Sequence, residues 1–271
     1  MDGETVVAWR HAPAGRPKAA LVATHGFNSE VRELADLPAA LARRGFFVLA
    51  VDQRGFGASG GERGLTTERR AVEDLRTALD RLPQDLPLGL VGHSLGGSYV
   101  LAAAATDPRV RAVVAAHPVD RLFDELNPIE KAGYHVLGKL GEAKRRKGKP
   151  AGSIPFKVRY KDLYVDPAAV ERAEREPFLQ PKANLGNYRN ALDSKGSASA
   201  ARVTVPTLVL TSDQDKVVSP KRQRNVFEHL GGPKELLAHR GGHSCFGDLD
   251  GALLADAVAA WLEANLVERA A

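Results

Sequence analysis

The chain has 271 residues, of which 44% are apolar and 26% charged, and a formal net charge of +5 at neutral pH. This composition is ordinary for a globular protein and excludes a chain that is intrinsically disordered. The single cysteine, Cys245, excludes an internal disulfide framework and a cysteine-rich zinc site.

Neither nucleic acid as a partner nor integral association with a membrane is expected. Aromatic residues are not interleaved with the basic ones in the pattern of a nucleic-acid-binding surface. No apolar run reaches the ~18 residues that a membrane span requires, and the first residues include no hydrophobic signal core. We therefore expect a cytoplasmic protein without integral membrane association, and the sequence leaves its oligomeric state open.

The first part of the chain alternates apolar runs with amphipathic segments. The apolar runs predict strands at 5–9, 19–24, 46–51, 87–91 and 110–116. The amphipathic segments predict helices at 31–44 and 68–82, and a third that begins at Leu95. This alternation predicts an α/β fold with a mostly parallel, doubly wound sheet, whose functional site lies at the carboxyl ends of the strands.

Residues 92–97, Gly-His-Ser-Leu-Gly-Gly, connect a predicted strand to a predicted helix. A serine on such a sharp turn adopts a strained backbone, and the small residues Gly92 and Gly96 avoid clashes on either side of it. The turn lifts the hydroxyl of Ser94 above the sheet, which is the geometry of a nucleophile. The alternative is a glycine-rich connection in which the serine is incidental, and the flanking strand and helix disfavour it.

The strand at 19–24 leads directly into His25-Gly26-Phe27. A tight strand end with glycine lets backbone N–H groups face a cavity, so the N–H of Phe27 is a candidate half of an oxyanion hole. The N–H of Leu95 is the other half. The alternative is a simple turn, and His25 is expected to be a structural residue rather than a base. Asp52 and Arg54 are expected to pair locally and to hold their loop beside the site.

Residues 118–203, called the insertion below, interrupt the alternation of strands and helices. Their length and short helical patterns predict a helical cap on a core formed by 1–117 and 204–271. Some of its aromatic residues are expected to line an apolar pocket: Phe123, Tyr134, Phe156, Tyr160, Tyr164, Phe178 and Tyr188. The basic run from Lys144 to Lys149 is expected to be a solvated, mobile loop, with attraction to an anionic substrate or membrane surface as the alternative.

After the insertion, a strand at 205–211 leads to Asp213 and Asp215, which compete for the role of an acid. A last strand at 234–238 leads to the glycine-flanked His243, the expected base, and a helix follows at 251–266. The order serine, aspartate, histidine is the one that an α/β-hydrolase arrangement requires. Cys245 is expected to pack near the site without acting as a nucleophile.

These motifs resemble the α/β-hydrolase superfamily over about residues 4–117 and 203–267. Within it, the chain is similar to cap-bearing serine hydrolases of the monoacylglycerol lipase and serine aminopeptidase group. In that group the acid is typically followed by one residue and an apolar pair, so the resemblance favours Asp215 over Asp213. Related dehalogenases and epoxide hydrolases carry an aspartate on the elbow, and Ser94 argues against both.

The residues and the resemblance together predict a serine hydrolase of carboxylic esters with a small to medium acyl group or a monoacylglycerol-like structure. Ser94 would attack, His243 would transfer the proton and Asp215 would orient it, with no metal or organic cofactor. Alternatives with the same residues are hydrolysis of a thioester, peptide or C–C bond, and acyl transfer. An alternative of another class is a small-molecule receptor that retains the fold.

Overall fold

Seven apolar runs of the chain form one sheet in the structure, a computed structural model that describes residues 3–156, 159–186, 190 and 193–268. The strands are β1 (Val7–His11), β2 (Ala19–Thr24), β3 (Phe46–Asp52), β4 (Leu88–His93), β5 (Val110–Ala116), β8 (Thr207–Thr211) and β9 (Lys234–Ala238). Their order is β1-β3-β2-β4-β5-β8-β9. The pairing of β1 with β3 is antiparallel and the other pairings are parallel. The predicted mostly parallel sheet is confirmed.

Helices cover both faces of this sheet because the strands are apolar on both sides. In β2, Ala20 and Val22 belong to one buried cluster, whereas Leu21 and Ala23 belong to another. The first cluster includes residues of α2 (Glu68–Leu79), α3 (Leu95–Ala104), α6 (Gly196–Ala200) and α7 (Pro220–His229). The second includes residues of α1 (Leu37–Arg43) and α8 (Gly251–Leu262). The doubly wound architecture follows from this burial on two sides.

The prediction of one continuous helix over 31–44 is wrong. A 3₁₀ turn spans Val31–Leu34, and α1 begins only at Leu37. Between them, Ala35 has a positive φ of 48°. Pro38 is the second residue of α1, and in the interior of a longer helix its ring would clash with the carbonyl of the residue four positions earlier. The break allows Glu33 to be buried.

The insertion contains β-structure as well as helices. Its helices α4 (Pro128–Arg146) and α5 (Pro167–Arg175) flank β6 (Ser153–Pro155), which pairs antiparallel with β7 (Lys182–Asn184). Strands of three residues produce no recognisable period in a sequence, which is why this pair of strands was not predicted. The assignment of 118–203 to a separate cap stays a prediction.

The basic run in the insertion is not the loop that was expected. Lys144, Arg145 and Arg146 form the last turn of α4, and Lys147 caps it. Positive side chains are favourable there because the carbonyl end of a helix carries a partial negative charge. Although α4 has 19 residues, no helix in the described part of the chain is long and apolar enough to cross a bilayer.

Candidate active site

The carboxyl ends of four neighbouring strands bring the candidate residues together. The sheet ladder continues one residue past each strand: the N–H of Ser94 donates to Ala116 O (2.8 Å), and that of His117 donates to Leu210 O (3.0 Å). In the same way the N–H of His239 donates to Thr211 O (3.0 Å). The first residues after β4, β5 and β9 are thereby aligned along one edge of the sheet.

Ser94 lies on a strained turn between β4 and α3, with φ 55° and ψ −122°. Glycine is required on both sides of it. A Cβ at Gly92 would lie 2.3 Å from the carbonyl oxygen of Gly96, and a Cβ at Gly96 would lie 2.3 Å from that of His25. Because these contacts are with backbone atoms, no side-chain movement could relieve them. The surrounding backbone thus holds the serine in its strained conformation.

Ser94, His243 and Asp215 form a continuous hydrogen-bonded chain. The hydroxyl of Ser94 lies 3.0 Å from His243 Nε2, and His243 Nδ1 lies 2.8 Å from Asp215 Oδ2. All three residues are buried. With Nδ1–H donating to the carboxylate, the unprotonated Nε2 can accept the proton of the serine.

The two competing aspartates occupy different environments. Asp215 Oδ2 accepts hydrogen bonds from both His243 and Gln223, and Oδ1 accepts the backbone N–H of Val217 and Val218. Burial alone would raise the pKa of this carboxyl group, but the neighbouring histidines outweigh it and hold the pKa of Asp215 well below its ordinary value. Asp213 is 74% exposed and pairs with Arg224 instead.

The backbone of Gly26 lies against the candidate nucleophile. A Cβ at Gly26 would lie 2.8 Å from Ser94 Cβ and 3.3 Å from its Oγ. On the other side, Leu95 is the first residue of α3, where N–H groups have no acceptor within the helix. The assignment of an oxyanion hole to the N–H groups of Phe27 and Leu95 stays a prediction.

His25 is held within its own loop, in agreement with the structural role expected for it. The backbone N–H of Gln53 donates to His25 Nε2 (3.1 Å), so the proton is on Nδ1, which donates to the carbonyl of Gly26 (2.9 Å). Burial lowers the pKa of His25. Both ring nitrogens are therefore occupied and the ring is neutral.

Asp52 and Arg54 hold loops beside the site, but they do not pair as expected. The Asp52 carboxylate accepts the backbone N–H groups of Val31 and Ala58. Arg54 donates to Asp74 on α2 through Nε at 2.5 Å, and also through its backbone N–H. The sequence analysis missed this partner because the two residues are 20 positions apart.

A buried ion pair of Glu33 and His93 lies beside Ser94 and His243, and it was not predicted from the sequence. His93 Nδ1 lies 3.2 Å from Glu33 Oε2, within the distance of an ion pair. Burial opposes ionisation of both side chains. The mutual attraction outweighs it, raising the pKa of His93 and lowering that of Glu33. His93 Nε2–H donates to the carbonyl of His243 (2.7 Å), while Glu33 accepts the N–H of Gly26 (2.5 Å).

Because of this ion pair, we expect the free energy of unfolding to depend on pH at both the acidic and the alkaline end of the range. The contribution of ionised Glu33 to the free energy of unfolding is complete above its ordinary pKa of 4.5. It is lost as the pH falls through the lowered folded-state pKa. The contribution of protonated His93 to the free energy of unfolding is complete below its ordinary pKa of 6.5. It is lost as the pH rises through the raised folded-state pKa. We expect Glu33→Gln to lower the free energy of unfolding by about 1–3 kcal/mol between these two pH values, and by less outside them.

Denaturant unfolding of the wild type and of Glu33→Gln across the pH range measures this difference. Glu171→Gln is the matched control, since that side chain is 73% exposed and should leave the curve unchanged. A loss of stability that is the same at every pH would show that Glu33 acts as a neutral hydrogen-bond acceptor.

The loop that carries His243 is attached to the insertion. The N–H of Ser244 donates to the carbonyl of Leu163 (3.0 Å). The carboxylate of Asp248 accepts N–H groups from both sides, from Gly242 at 2.5 Å and from Val165 at 2.8 Å. The position of the candidate base therefore depends on how residues 163–165 of the insertion pack.

A cavity of about 290 Å³ opens above Ser94 and His243. Its remaining lining is formed by Phe27, Glu33, Phe156, Arg159, Asp162, Leu163, Leu179, Lys216 and Val217. Among the aromatic residues predicted for this role, Phe156 lines the cavity and packs edge-on against Phe27 at 5.5 Å. Tyr160, Tyr164 and Phe178 pack with one another in a separate cluster. Tyr188 and the side chain of Phe123 lie outside the described residues.

Two groups of side chains bring three possible metal-ligand atoms within 4.8 Å of one another. One contains His93, His117 and His243, and the other contains His117, His239 and Cys245. The ring nitrogens of these histidines already face protein partners. Burial raises the pKa of Cys245, so its sulfur is a neutral thiol that packs against the site. The expectation that the chemistry needs no cofactor stays a prediction.

Comparison with known proteins shows which proteins this chain is similar to. A family model described as serine aminopeptidase, S33, matches residues 15–250. A monoacylglycerol lipase of Mycolicibacterium smegmatis is 28% identical over 98% of this chain and 95% of its own length. A polyketide transferase of Stachybotrys chlorohalonatus is 32% identical over 93% of this chain and 90% of its own. The crystal structure of a monoacylglycerol lipase of Paleococcus ferrophilus superposes with a TM-score of 0.80 at 25% identity, covering 96% of this chain and 99% of that one.

Proposed function

The chain belongs to the serine aminopeptidase S33 family of the α/β-hydrolase superfamily, and on that premise we propose that it hydrolyses carboxylic esters through an acyl-enzyme. Ser94 is the nucleophile, His243 the general base and acid, and Asp215 the carboxylate that orients the imidazole. The N–H groups of Phe27 and Leu95 bind the oxyanion. The observation that carries the proposal is the unbroken hydrogen-bonded chain from Ser94 to Asp215 at the floor of a cavity.

In the first half of the reaction, Ser94 Oγ attacks the acyl carbon while its proton moves to His243 Nε2. The carbonyl oxygen becomes an oxyanion, and the tetrahedral intermediate collapses when the leaving alcohol takes the proton from His243. In the second half, water attacks the acyl-serine and gives its proton to the same nitrogen. Collapse of the second intermediate returns that proton to Ser94 and releases the carboxylic acid.

The cavity supports a small to medium acyl group. Its volume of about 290 Å³ is near the lower end of the ~300–1,000 Å³ that is usual for ligand pockets. The side chains of Phe27, Leu179 and Val217 give it an apolar lining. The monoacylglycerol lipases to which the chain is similar bring monoacylglycerol into the proposed substrate class.

Acyl transfer is the second candidate function, because the chain is also similar to a polyketide transferase. The acyl-enzyme would be the same in both reactions, and only the acceptor would differ. A transferase delivers the acyl group to an alcohol, whereas a hydrolase delivers it to water.

A panel of p-nitrophenyl esters from acetate to palmitate tests the proposal. We expect turnover with a preference for short to medium chains, and carboxylic acid as the product when an alcohol such as glycerol is added. Formation of a new ester at the expense of the acid would favour the transferase. Absence of turnover on every ester, together with no labelling of Ser94 by a fluorophosphonate, would favour the small-molecule receptor.

A further inference from the structure

The carboxylate of Asp215 binds a second histidine besides the one that reaches Ser94. His117 Nδ1 lies 2.6 Å from Asp215 Oδ2, the same oxygen that binds His243. On its other side, His117 Nε2 lies 2.6 Å from Nε2 of His239. His117 and His239 directly follow β5 and β9, the strands on either side of β8. The strand order therefore places the acid that follows β8 between them.

Hydrogen bonds determine which ring nitrogens of His117 and His239 carry the protons. The backbone N–H of Gly241 donates to His239 Nδ1 at 3.1 Å, so that nitrogen carries no proton. A neutral His239 then has its proton on Nε2 and donates to Nε2 of His117. His117 in turn has its proton on Nδ1 and donates to Asp215.

The contact between the two rings fits a shared proton better than a shared metal ion. Their centroids are 4.8 Å apart, nearly twice the 2.6 Å between the two Nε2 atoms, and their planes differ by 25°. The rings of His117 and His239 therefore meet end to end, with an N–H pointing along the line between the nitrogens. Two nitrogens that bind one zinc ion at ~2.0–2.1 Å in tetrahedral geometry would be more than ~3 Å apart.

We propose that His239 is a positioning residue that adds to the effect of burial in keeping His117 neutral, so that the negative charge of Asp215 stabilises His243 alone. This inference rests on the proposed function, in which Asp215 stabilises the imidazolium formed when His243 takes the proton of Ser94. The N–H of His239 occupies the lone pair of His117 to which a further proton would bind. A protonated His117 would form an ion pair with Asp215 and compete with His243 for the same oxygen.

The surroundings of the pair are consistent with two neutral rings at neutral pH. Burial lowers the pKa of His117 to about 3 and that of His239 to about 4. The other titratable groups that face the pair are His93, Asp215, His243, Cys245, Asp248 and Asp250. The three aspartates favour protonation of His239, and Asp250 is itself paired with Arg240. Burial outweighs their attraction.

The pH dependence of kcat/KM on a p-nitrophenyl ester tests the proposal. His239→Phe keeps an aromatic ring in place but removes the donor, so His117 can take a proton as the pH falls. We expect the acid limb of the profile to shift upward by about one pH unit, with about tenfold lower kcat/KM at the acid end and little change at alkaline pH. His239→Gln is the matched control, since its amide N–H can donate as the imidazole Nε2–H does, and its acid limb should coincide with that of the wild type.

A double variant separates this role from a general structural one. His117→Asn suits the backbone at this position, where φ is 49°, because asparagine tolerates positive φ and its amide can still donate to Asp215. In the double variant with His239→Phe there is no imidazole at position 117 to protonate, so the acid limb should return to that of the wild type. The proposal would be overturned if His239→Phe and the wild type had the same acid limb in the pH profile of kcat/KM. It would also be overturned if the shift of the acid limb persisted in the double variant.

Long-range ¹H–¹⁵N spectra of the histidine rings test the proton positions without any turnover. In the wild type at neutral pH we expect the proton of His117 on Nδ1 and that of His239 on Nε2. A doubly protonated His117, or the opposite tautomer of either ring, would overturn the proposal even if His239→Phe fails to fold. If the wild type did not hydrolyse esters, that would instead contradict the proposed function, and the proton positions in the spectra would still test the present proposal.

Discussion

Replacement of Ser94 by alanine is expected to abolish ester hydrolysis, lowering kcat by about 10⁶-fold, because no other group replaces the attacking oxygen. The change removes only the hydroxyl, and the backbone of the turn between β4 and α3 is held by Gly92 and Gly96. The variant should therefore fold with a melting temperature close to that of the wild type. Steady-state rates on the preferred p-nitrophenyl ester, with thermal unfolding alongside, measure both effects.

Ser98→Ala is the matched control for this variant. Ser98 lies one turn further along α3 and is buried, but its hydroxyl donates to the carbonyl of Val119 rather than to a histidine. We expect Ser98→Ala to lose about 1–3 kcal/mol of stability and to keep kcat within an order of magnitude. Comparable turnover by Ser94→Ala and the wild type would show that another residue forms the acyl-enzyme.

Asp215→Asn is expected to lower kcat by about 10⁴-fold. Both carboxylate oxygens of Asp215 accept hydrogen bonds, from backbone N–H groups on Oδ1 and from His117, His243 and Gln223 on Oδ2. An amide group would place N–H against these donors in either orientation. Where the N–H replaces Oδ2, the ring of His243 loses the acceptor that holds its proton on Nδ1, and Nε2 is no longer free to take the proton of Ser94. Where the N–H replaces Oδ1, the negative charge that stabilises the imidazolium of His243 is still lost.

Asp213→Asn is the control that separates the two aspartates. Its side chain is 74% exposed and pairs with Arg224, so the change should alter kcat by no more than about twofold. Kinetics of the two variants on the same ester decide the assignment. A large loss in Asp213→Asn with a small loss in Asp215→Asn would reverse the roles proposed for them.

The sheet could be predicted from sequence because its strands are short apolar runs separated by clear turn signals. The runs at 19–24 and 110–116 appear in the structure with the same bounds. The residue types around Ser94 could also be predicted, since a strained turn restricts its neighbours to glycine. Sequence reasoning failed at 31–44, where the apolar spacing indicated one helix and Pro38 prevented it.

The buried histidines could not be found in this way, because their partners depend on the order of strands in the sheet. His93, His117 and His239 stand at or directly after the carboxyl ends of three strands, and this position was the one signal available. It did not reveal that β8 lies between β5 and β9, or that Glu33 turns inward towards β4. The packing of the insertion on the loop of His243 could not be predicted either, since on the side of the insertion it uses backbone groups of Leu163 and Val165.

The central claim is that an acyl group is transferred to Ser94, and rapid mixing with a p-nitrophenyl ester followed by peptide mass spectrometry tests it most directly. We expect a burst of about one p-nitrophenol per chain and an acyl group on the peptide that contains Ser94. A burst with the acyl group on another residue, or steady turnover with no acylated peptide in protein quenched during the reaction, would contradict it.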